Sequence, residues 1–314
     1  MIEIPLRISN SEKQVFKRCR RKWHFNYYLW LKPNFEKETG PSPIGIRVHD
    51  VLSRYYTAKM LGFDTDSCVA EALAHHEGVM NESMAKAAAN GDDTDILLKE
   101  CELSRIMLEG YFEWLAETGV DEGLVVTGAE TSVEFLTTIF DVELTILAKL
   151  DIRILRELDG ARLFMDHKTA QELSTPLKTM HLNEQFLHYD WIMRQLGLPE
   201  RVDGGVFNFL RKVKRTATMK SPAYGRLEVR HNERELDAFE KRLRGEIRAI
   251  LSLRQALDTG TDPLTLVYPT PTRDCAWDCP YFQVCPMVDR QDGSAERVIE
   301  LTMRKVDPYE RYDR

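Results

Sequence analysis

The chain has 314 residues, 43% of them hydrophobic, with a net charge of −7 and a sequence pI near 5.7. That length supplies a sizeable core for one large domain or two smaller ones. The acidic balance excludes a protein that coats nucleic acid through bulk charge, and no apolar run approaches the roughly 20 residues of a membrane helix.

Residues 9–31 read as a helix, with Ser9 or Asn10 as its cap and Val15, Phe16, Cys19, Trp23, Phe25 and Tyr27 as its apolar and aromatic positions. Lys32-Pro33-Asn34 ends it. Pro41 to Pro43 restarts the chain, and residues 44–61 predict a second helix. Residues 66–90 and 93–118 predict two more, joined by the turn Asn90-Gly91-Asp92-Asp93. Cys68 and Cys101 stand alone in these helical patterns and are expected as core thiols. The helical block is expected to fold over the core that follows it.

The pattern then changes. Residues 125–135, 140–155 and 161–168 predict three strands rich in Val, Ile, Leu and Thr, with Leu158-Asp159-Gly160 as the hairpin turn before the third. Residues 183–196 predict an amphipathic helix closed by Gly197 and Pro199. Residues 204–210 predict a fourth strand and 226–231 a fifth, with a basic loop over 211–221 between them. Residues 232–257 predict a long charged helix, followed by a turn-rich stretch to the last cysteines and a loose polar tail over 303–314. This order predicts a mixed α/β (α+β) fold around a central mixed sheet. It is expected as one compact unit, with a helical region over 1–120, a core over 121–260 and a C-terminal segment over 261–314.

Asp151 lies within the second predicted strand, and Asp166 and Lys168 end the third. Strand residues two apart share a face, so Asp166 and Lys168 point together and His167 points away. If the second and third strands pair, Asp151 reaches the same spot. Two converging carboxylates suit a hard cation such as Mg²⁺ or Mn²⁺. Such a cation polarises a phosphate oxygen and acidifies a bound water, and a lysine beside it orients that water or offsets developing charge. Asp-x-Lys is a common tripeptide, and a strand cap with an exposed pair is the bland alternative. The context outweighs it. Gly45 and His49 form Gly-x-x-x-His on the second helix, and Gln185 and Tyr189 lie one helical turn apart downstream.

Six cysteines in a reducing compartment point away from disulfides. The N-terminal stretch lacks an apolar run long enough for a signal peptide, so a cytoplasmic location is expected. Cys19 lies near one end of the chain, and Cys275, Cys279 and Cys285 lie near the other. Four thiolates suit tetrahedral zinc or a [4Fe–4S] cluster. Basic residues gather over 13–22, 211–220 and 241–254. The loop carrying Arg211, Lys212, Lys214, Arg215 and Lys220 is expected on phosphates. The run Lys17, Arg18, Arg20, Arg21 and Lys22 is interleaved with Trp23, Phe25 and Tyr27, which either stack on single-stranded bases or belong to the core. No phosphate-loop motif of a motor is present, so any motor would come from a partner.

The ordered set Gly-x-x-x-His, Asp, Asp-x-Lys-Thr and Gln-x-x-x-Tyr, flanked by the four cysteines, resembles the RecB-type nucleases of the PD-(D/E)xK superfamily. The resemblance runs from about Cys19 to Cys285. It is nearest to the iron–sulfur branch, which includes the CRISPR-adaptation exonucleases and the AddB nuclease domain. It implies that His49, Asp151 and Asp166 are side-chain metal ligands, that His167 adds its backbone carbonyl, and that Lys168 is the catalytic lysine. Gln185 and Tyr189 would position the DNA strand. Glu130, or equally Glu134, would fill the acidic position before the central aspartate. Cys19, Cys275, Cys279 and Cys285 would hold the [4Fe–4S] cluster. The family trio is usually C-x₂-C-x₅-C, whereas this chain has C-x₃-C-x₅-C. The activity implied is that of a Mg²⁺- or Mn²⁺-dependent DNA exonuclease acting on single strands or ends in recombination, repair or phage DNA processing. A helicase or recombination partner, or an oligomer, is compatible with it. The alternative is a DNA-binding or assembly subunit with an inactive nuclease fold.

Overall fold

The computed structural model describes residues 6–197, 202–214, 216 and 222–313. Pro199, Arg215, Lys220 and much of the expected basic loop lie outside the described residues.

In chain order the elements are β1 (Leu6–Ser9), α1 (Asn10–Arg18), α2 (Arg20–Trp23), a π-helical turn (His24–Tyr28), β2 (Leu31–Pro33), α3 (Pro41–Met60), α4 (Thr65–Asn90) and α5 (Thr94–Thr118). Then come β3 (Leu124–Ile139), β4 (Val142–Arg156), β5 (Ala161–Ala170), α6 (Ser174–Thr179), a 3₁₀ turn (Met180–Leu182), α7 (Gln185–Gln195), β6 (Gly204–Arg211) and β7 (Tyr224–Val229). The chain continues with α8 (Glu233–Asp258), α9 (Pro263–Leu266), α10 (Cys275–Asp278), α11 (Cys285–Val288), α12 (Ser294–Thr302), β8 (Met303–Lys305) and a 3₁₀ turn (Glu310–Tyr312). The described residues fall into two compact units. One holds residues up to Glu36, Ser132–Ala148 and Glu233 onward; the other holds Lys37–Thr131 and Lys149–Asn232. Strands β3 and β4 are long enough to contribute a segment to each.

In the first unit, β1 runs parallel to the first half of β4, from Leu6 opposite Leu144 to Ser9 opposite Leu147. The Ser9 hydroxyl accepts from the Glu12 N–H at 3.2 Å and caps α1. The expected single helix over 9–31 does not form. Cys19 leaves helical geometry with φ −158° and ψ 115° and starts α2, its Sγ accepting from the Lys22 N–H at 3.5 Å.

The basic run there is not a free surface. Lys13 is buried against Glu246 at 3.3 Å, and Lys17 pairs with the same carboxylate. Arg21 is buried and donates to Asp289 and to the Cys285 carbonyl, while Arg18 and Lys22 face Asp278. Trp23, Phe25 and Tyr27 are 0, 3 and 5% exposed, so they pack in the core and do not stack on bases. The expected loose tail is also ordered. β8 pairs antiparallel with β2, and the Tyr309 hydroxyl donates to the fully buried Glu12 at 2.6 Å.

In the second unit, the second half of β4 runs antiparallel to β5, β5 runs parallel to β6, and β6 runs antiparallel to β7. This is a mixed sheet. The parallel pair needs a crossover, which α6 and α7 supply. Helices α3 to α5 pack Val48, Val51, Leu52, Tyr55, Met107 and Leu108 onto Ile152, Ile154, Leu163, Met165 and Val206. On the opposite face, α7 stacks Phe186 on Phe207 at 4.2 Å between ring centres. Gly205 permits that approach, since a Cβ there would stand 2.5 Å from the Phe186 ring.

Candidate functional site

The β4–β5 register sets the centre of the site. Ile152 pairs with Met165, so one step further along the ladder Asp151 meets Asp166. His49 approaches from α3, with its Nδ1 3.4 Å from Asp151 Oδ2. Its reach depends on Gly45, one turn earlier. A Cβ at Gly45 would lie 3.0 Å from Thr169 Oγ1, so a larger residue would push α3 off β5.

Lys168 shares the face of Asp166, as the strand period requires. Its Nζ lies 2.5 Å from Asp166 Oδ2 and donates to Gln185 Oε1 at 3.1 Å. Gln185 Nε2 donates to Asp166 Oδ1 at 2.6 Å and to the Tyr189 hydroxyl at 2.7 Å. The helical pair read from the sequence thus grips the strand pair through one amide. Asn183 Oδ1 accepts from the Gln185 N–H at 2.8 Å and fixes the start of α7.

Electrostatics set the two carboxylates apart. Asp166 is 2% exposed, and burial pushes it up to about 6, with Lys168 drawing it back and the neighbouring Asp151 adding to the rise. Burial acts upward on Asp151 as well, but His49, through a hydrogen bond and its charge, and Lys168 outweigh it and hold Asp151 well below the usual carboxylate range. Asp151 Oδ2 and Asp166 Oδ2 are buried, and their polar neighbours are His49 Nδ1 at 3.4 Å and Lys168 Nζ at 2.5 Å. Two desolvated carboxylate oxygens beside an imidazole form a donor set that fits a hard divalent cation. Among the described residues, no three His, Cys, Asp or Glu side chains already enclose a metal position. A further ligand, such as a backbone carbonyl, would complete the set.

The His167 side chain points to the other face, into a relay that the sequence did not reveal. Its Nδ1 accepts from Asn208 Nδ2 at 2.9 Å, and Asn208 Oδ1 accepts from Arg226 Nε at 3.0 Å. Arg226 Nη2 pairs with Asp121 at 2.5 Å, and Lys59 reaches the same carboxylate at 3.2 Å. Burial, with His49 adding to it, lowers His167 to about 3, so its imidazole is neutral. The one local signal was Asn208 itself, a polar residue inside the buried run Val206-Phe207-Asn208-Phe209-Leu210.

The other expected residues are less gathered. Glu130 has a left-handed backbone at φ 47° and pairs with Lys149 at 2.9 Å. Glu134 lies in the first unit, 3.4 Å from Arg7. Arg211 donates to the Gln171 carbonyl, Lys212 to the Pro41 carbonyl, and Lys214 pairs with Glu102.

Cys19, Cys275, Cys279 and Cys285 all lie in the first unit and are half-buried, whereas Cys68 and Cys101 are fully buried as expected. No cysteine is in a disulfide. Burial pushes the Cys285 thiol up, Arg21 opposes this, and the charge of Cys19 adds to the rise. Burial raises Cys279 too, with Cys285 and Cys275 adding smaller contributions. Cys285 thus lies within electrostatic reach of Cys19 and Cys279, and Cys279 of Cys275, while among the described residues no three of these side chains already enclose a metal position.

Compared with known protein families, residues 7–286 match the PD-(D/E)XK nuclease superfamily. The chain belongs to this superfamily. No curated protein is significantly similar. A solved structure titled "Crystal structure of SSO0001" is similar at 13% identity and a TM-score of 0.32, covering 68% of this chain and 79% of that one. Membership in the PD-(D/E)XK superfamily supports a nuclease-related hydrolase function and DNA as the partner. Among the described residues, no helix is long and apolar enough to cross a membrane.

Proposed function

We propose that this chain is a metal-dependent DNA exonuclease whose site is built on His49, Asp151, Asp166 and Lys168. The observation that carries the reading is the convergence of the buried carboxylates of Asp151 and Asp166, with His49 Nδ1 3.4 Å from the first and Lys168 Nζ 2.5 Å from the second. His49, both aspartates and the His167 carbonyl would hold Mg²⁺ or Mn²⁺. The bound ion supplies Lewis acidity toward a phosphate oxygen and lowers the pKa of a water. Lys168, held by Gln185 and Asp166, would set its ammonium against the negative charge that builds on the phosphate oxygens in the transition state. Gln185 and Tyr189 orient the strand, and Glu130 is the additional acidic candidate. Recombination, repair or phage DNA processing suits such an enzyme.

The same reading assigns Cys19, Cys275, Cys279 and Cys285 to a [4Fe–4S] cluster. The pairwise reach of Cys19 to Cys285, Cys285 to Cys279 and Cys279 to Cys275, and the break in the helix at Cys19, support it. A cluster there would close most of the chain into one loop, a gain that grows only logarithmically with loop length.

The test combines Mn²⁺-dependent cleavage of a labelled oligonucleotide with visible absorbance after anaerobic purification. Asp151→Ala and Lys168→Ala should abolish cleavage and keep the brown colour; Cys285→Ala should lose the colour. Cleavage at the wild-type rate by either site variant would overturn the site. Colourless, zinc-loaded wild-type protein would overturn the iron–sulfur assignment.

A further inference from the structure

Arg153 lies two residues beyond Asp151 on β4, so both side chains leave the same face of the strand, about 7 Å apart along it. It is half-buried, and its Nε is buried without a hydrogen-bond partner. Among the described residues no carboxylate pairs with it. Several other basic side chains of this unit face carboxylates: Lys149 faces Glu130, Arg54 Glu71, Arg156 Asp159 and Glu228, and Arg226 Asp121. Arg153 differs from these, on the face of β4 that also carries Asp151, a candidate metal ligand.

Gly128 on β3 makes room for it. A Cβ at Gly128 would stand 2.6 Å from both Nε and Nη2 of Arg153, so any side chain there would displace the guanidinium. The Gly128 backbone is not in the left-handed region, so its conformation does not call for glycine; the space does. A half-buried cation without a counter-charge is costly unless an anion completes it.

We infer that Arg153, seated over Gly128, forms a subsite for a phosphodiester of the nucleic-acid strand, adjacent to the phosphate opposite Asp151. This rests on the nuclease reading above. A guanidinium suits the task, because its fork of donors matches two phosphate oxygens at once. The subsite is one-sided. Lys149 occupies the corresponding position on the other side of Asp151, but Glu130 takes up its charge at 2.9 Å. The strand is therefore gripped toward Arg153 and not toward Lys149.

The test is fluorescence anisotropy of a labelled single-stranded oligonucleotide in EDTA, across a salt series. Wild type is compared with Arg153→Ala, Arg153→Lys and Gly128→Ala. Arg153→Ala should weaken binding about tenfold and reduce the salt slope by about one. Gly128→Ala should weaken binding in the same direction although the charge remains, and Arg153→Lys should fall between. A single methylphosphonate walked along the strand should weaken wild-type binding at one position and leave Arg153→Ala binding unchanged there. If Arg153→Ala does not fold, the Lys and Gly128 variants make the same comparison. Wild-type affinity and slope in these variants, or equal methylphosphonate effects in wild type and variant, would overturn the subsite alone. Wild-type protein that does not bind the strand would overturn the nuclease reading and the subsite with it.

Discussion

Arg226→Met removes the cation that ties Asp121 to Asn208, and its cost follows from what it leaves behind. Asp121 is 10% exposed in its side chain, and Lys59 at 3.2 Å would be its remaining cationic partner. The Val120 carbonyl, Asn208 Oδ1 and the Tyr56 and Tyr111 hydroxyls each lose a donor between 3.0 and 3.2 Å away. Breaking a buried pair from one side costs about 3–5 kcal/mol. Each stranded neutral acceptor adds to this and the Lys59 pair offsets it, so a loss of about 4 kcal/mol is expected. The pH dependence has a definite sign. Burial acts upward on Asp121, but Arg226 and Lys59 outweigh it and hold its carboxyl below the ordinary 3.8. The unfolded chain then takes up a proton first as pH falls, so the stability from this pair is full above that range and is lost on acidification. Urea unfolding with hydrogen exchange of β5, β6 and β7 amides measures it. The Asp121→Leu/Arg226→Met double variant should recover part of the loss. An Arg226→Met protein within about 1 kcal/mol of wild type, or a double variant as damaged as the single, would refute the reasoning.

Gly45→Ala should lower cleavage several-fold by lifting α3 from β5, and Gly45→Ala/Thr169→Ala should restore it, since the contact at 3.0 Å is with Thr169 Oγ1; a wild-type rate for the single variant would show that α3 has room to spare. With Asp166 pushed up to about 6 in the metal-free protein, protons should compete with Mn²⁺ below that pH. Calorimetry should show affinity falling steeply between pH 7 and about 5, and a flat profile would count against Asp166 as a ligand.

The hairpin of the candidate site was legible because its signals are local. Asp151, Asp166 and Lys168 lie on adjacent strands joined by a tight turn, and the strand period alone puts them together. Gln185 and Tyr189 were legible from helical spacing. What stayed hidden depends on partners far along the chain. Nothing in Val15-Phe16-Lys17-Arg18-Cys19-Arg20-Arg21-Lys22 marks a helix break, since it contains neither Gly nor Pro. The partners of Arg21 and Lys22, Asp289 and Asp278, lie more than 250 residues away. Tyr309 in the ordered tail meets Glu12 across 297 residues. The basic run over 13–22 is the same case: a sequence shows a charge but not the carboxylates, here Glu246, Asp278 and Asp289, that pair with it. Arg153 is the converse case, a charge with no special local mark whose lack of a partner emerges only from the fold.

The most direct test of the central claim is digestion of 5′- and 3′-labelled single- and double-stranded DNA with Mn²⁺ or with EDTA, beside Asp166→Ala. The expected result is cleavage that requires the metal, proceeds from an end and is absent from the variant. Folded, metal-supplied wild-type protein that leaves every substrate intact, or an Asp166→Ala protein that cuts as well as wild type, would contradict it.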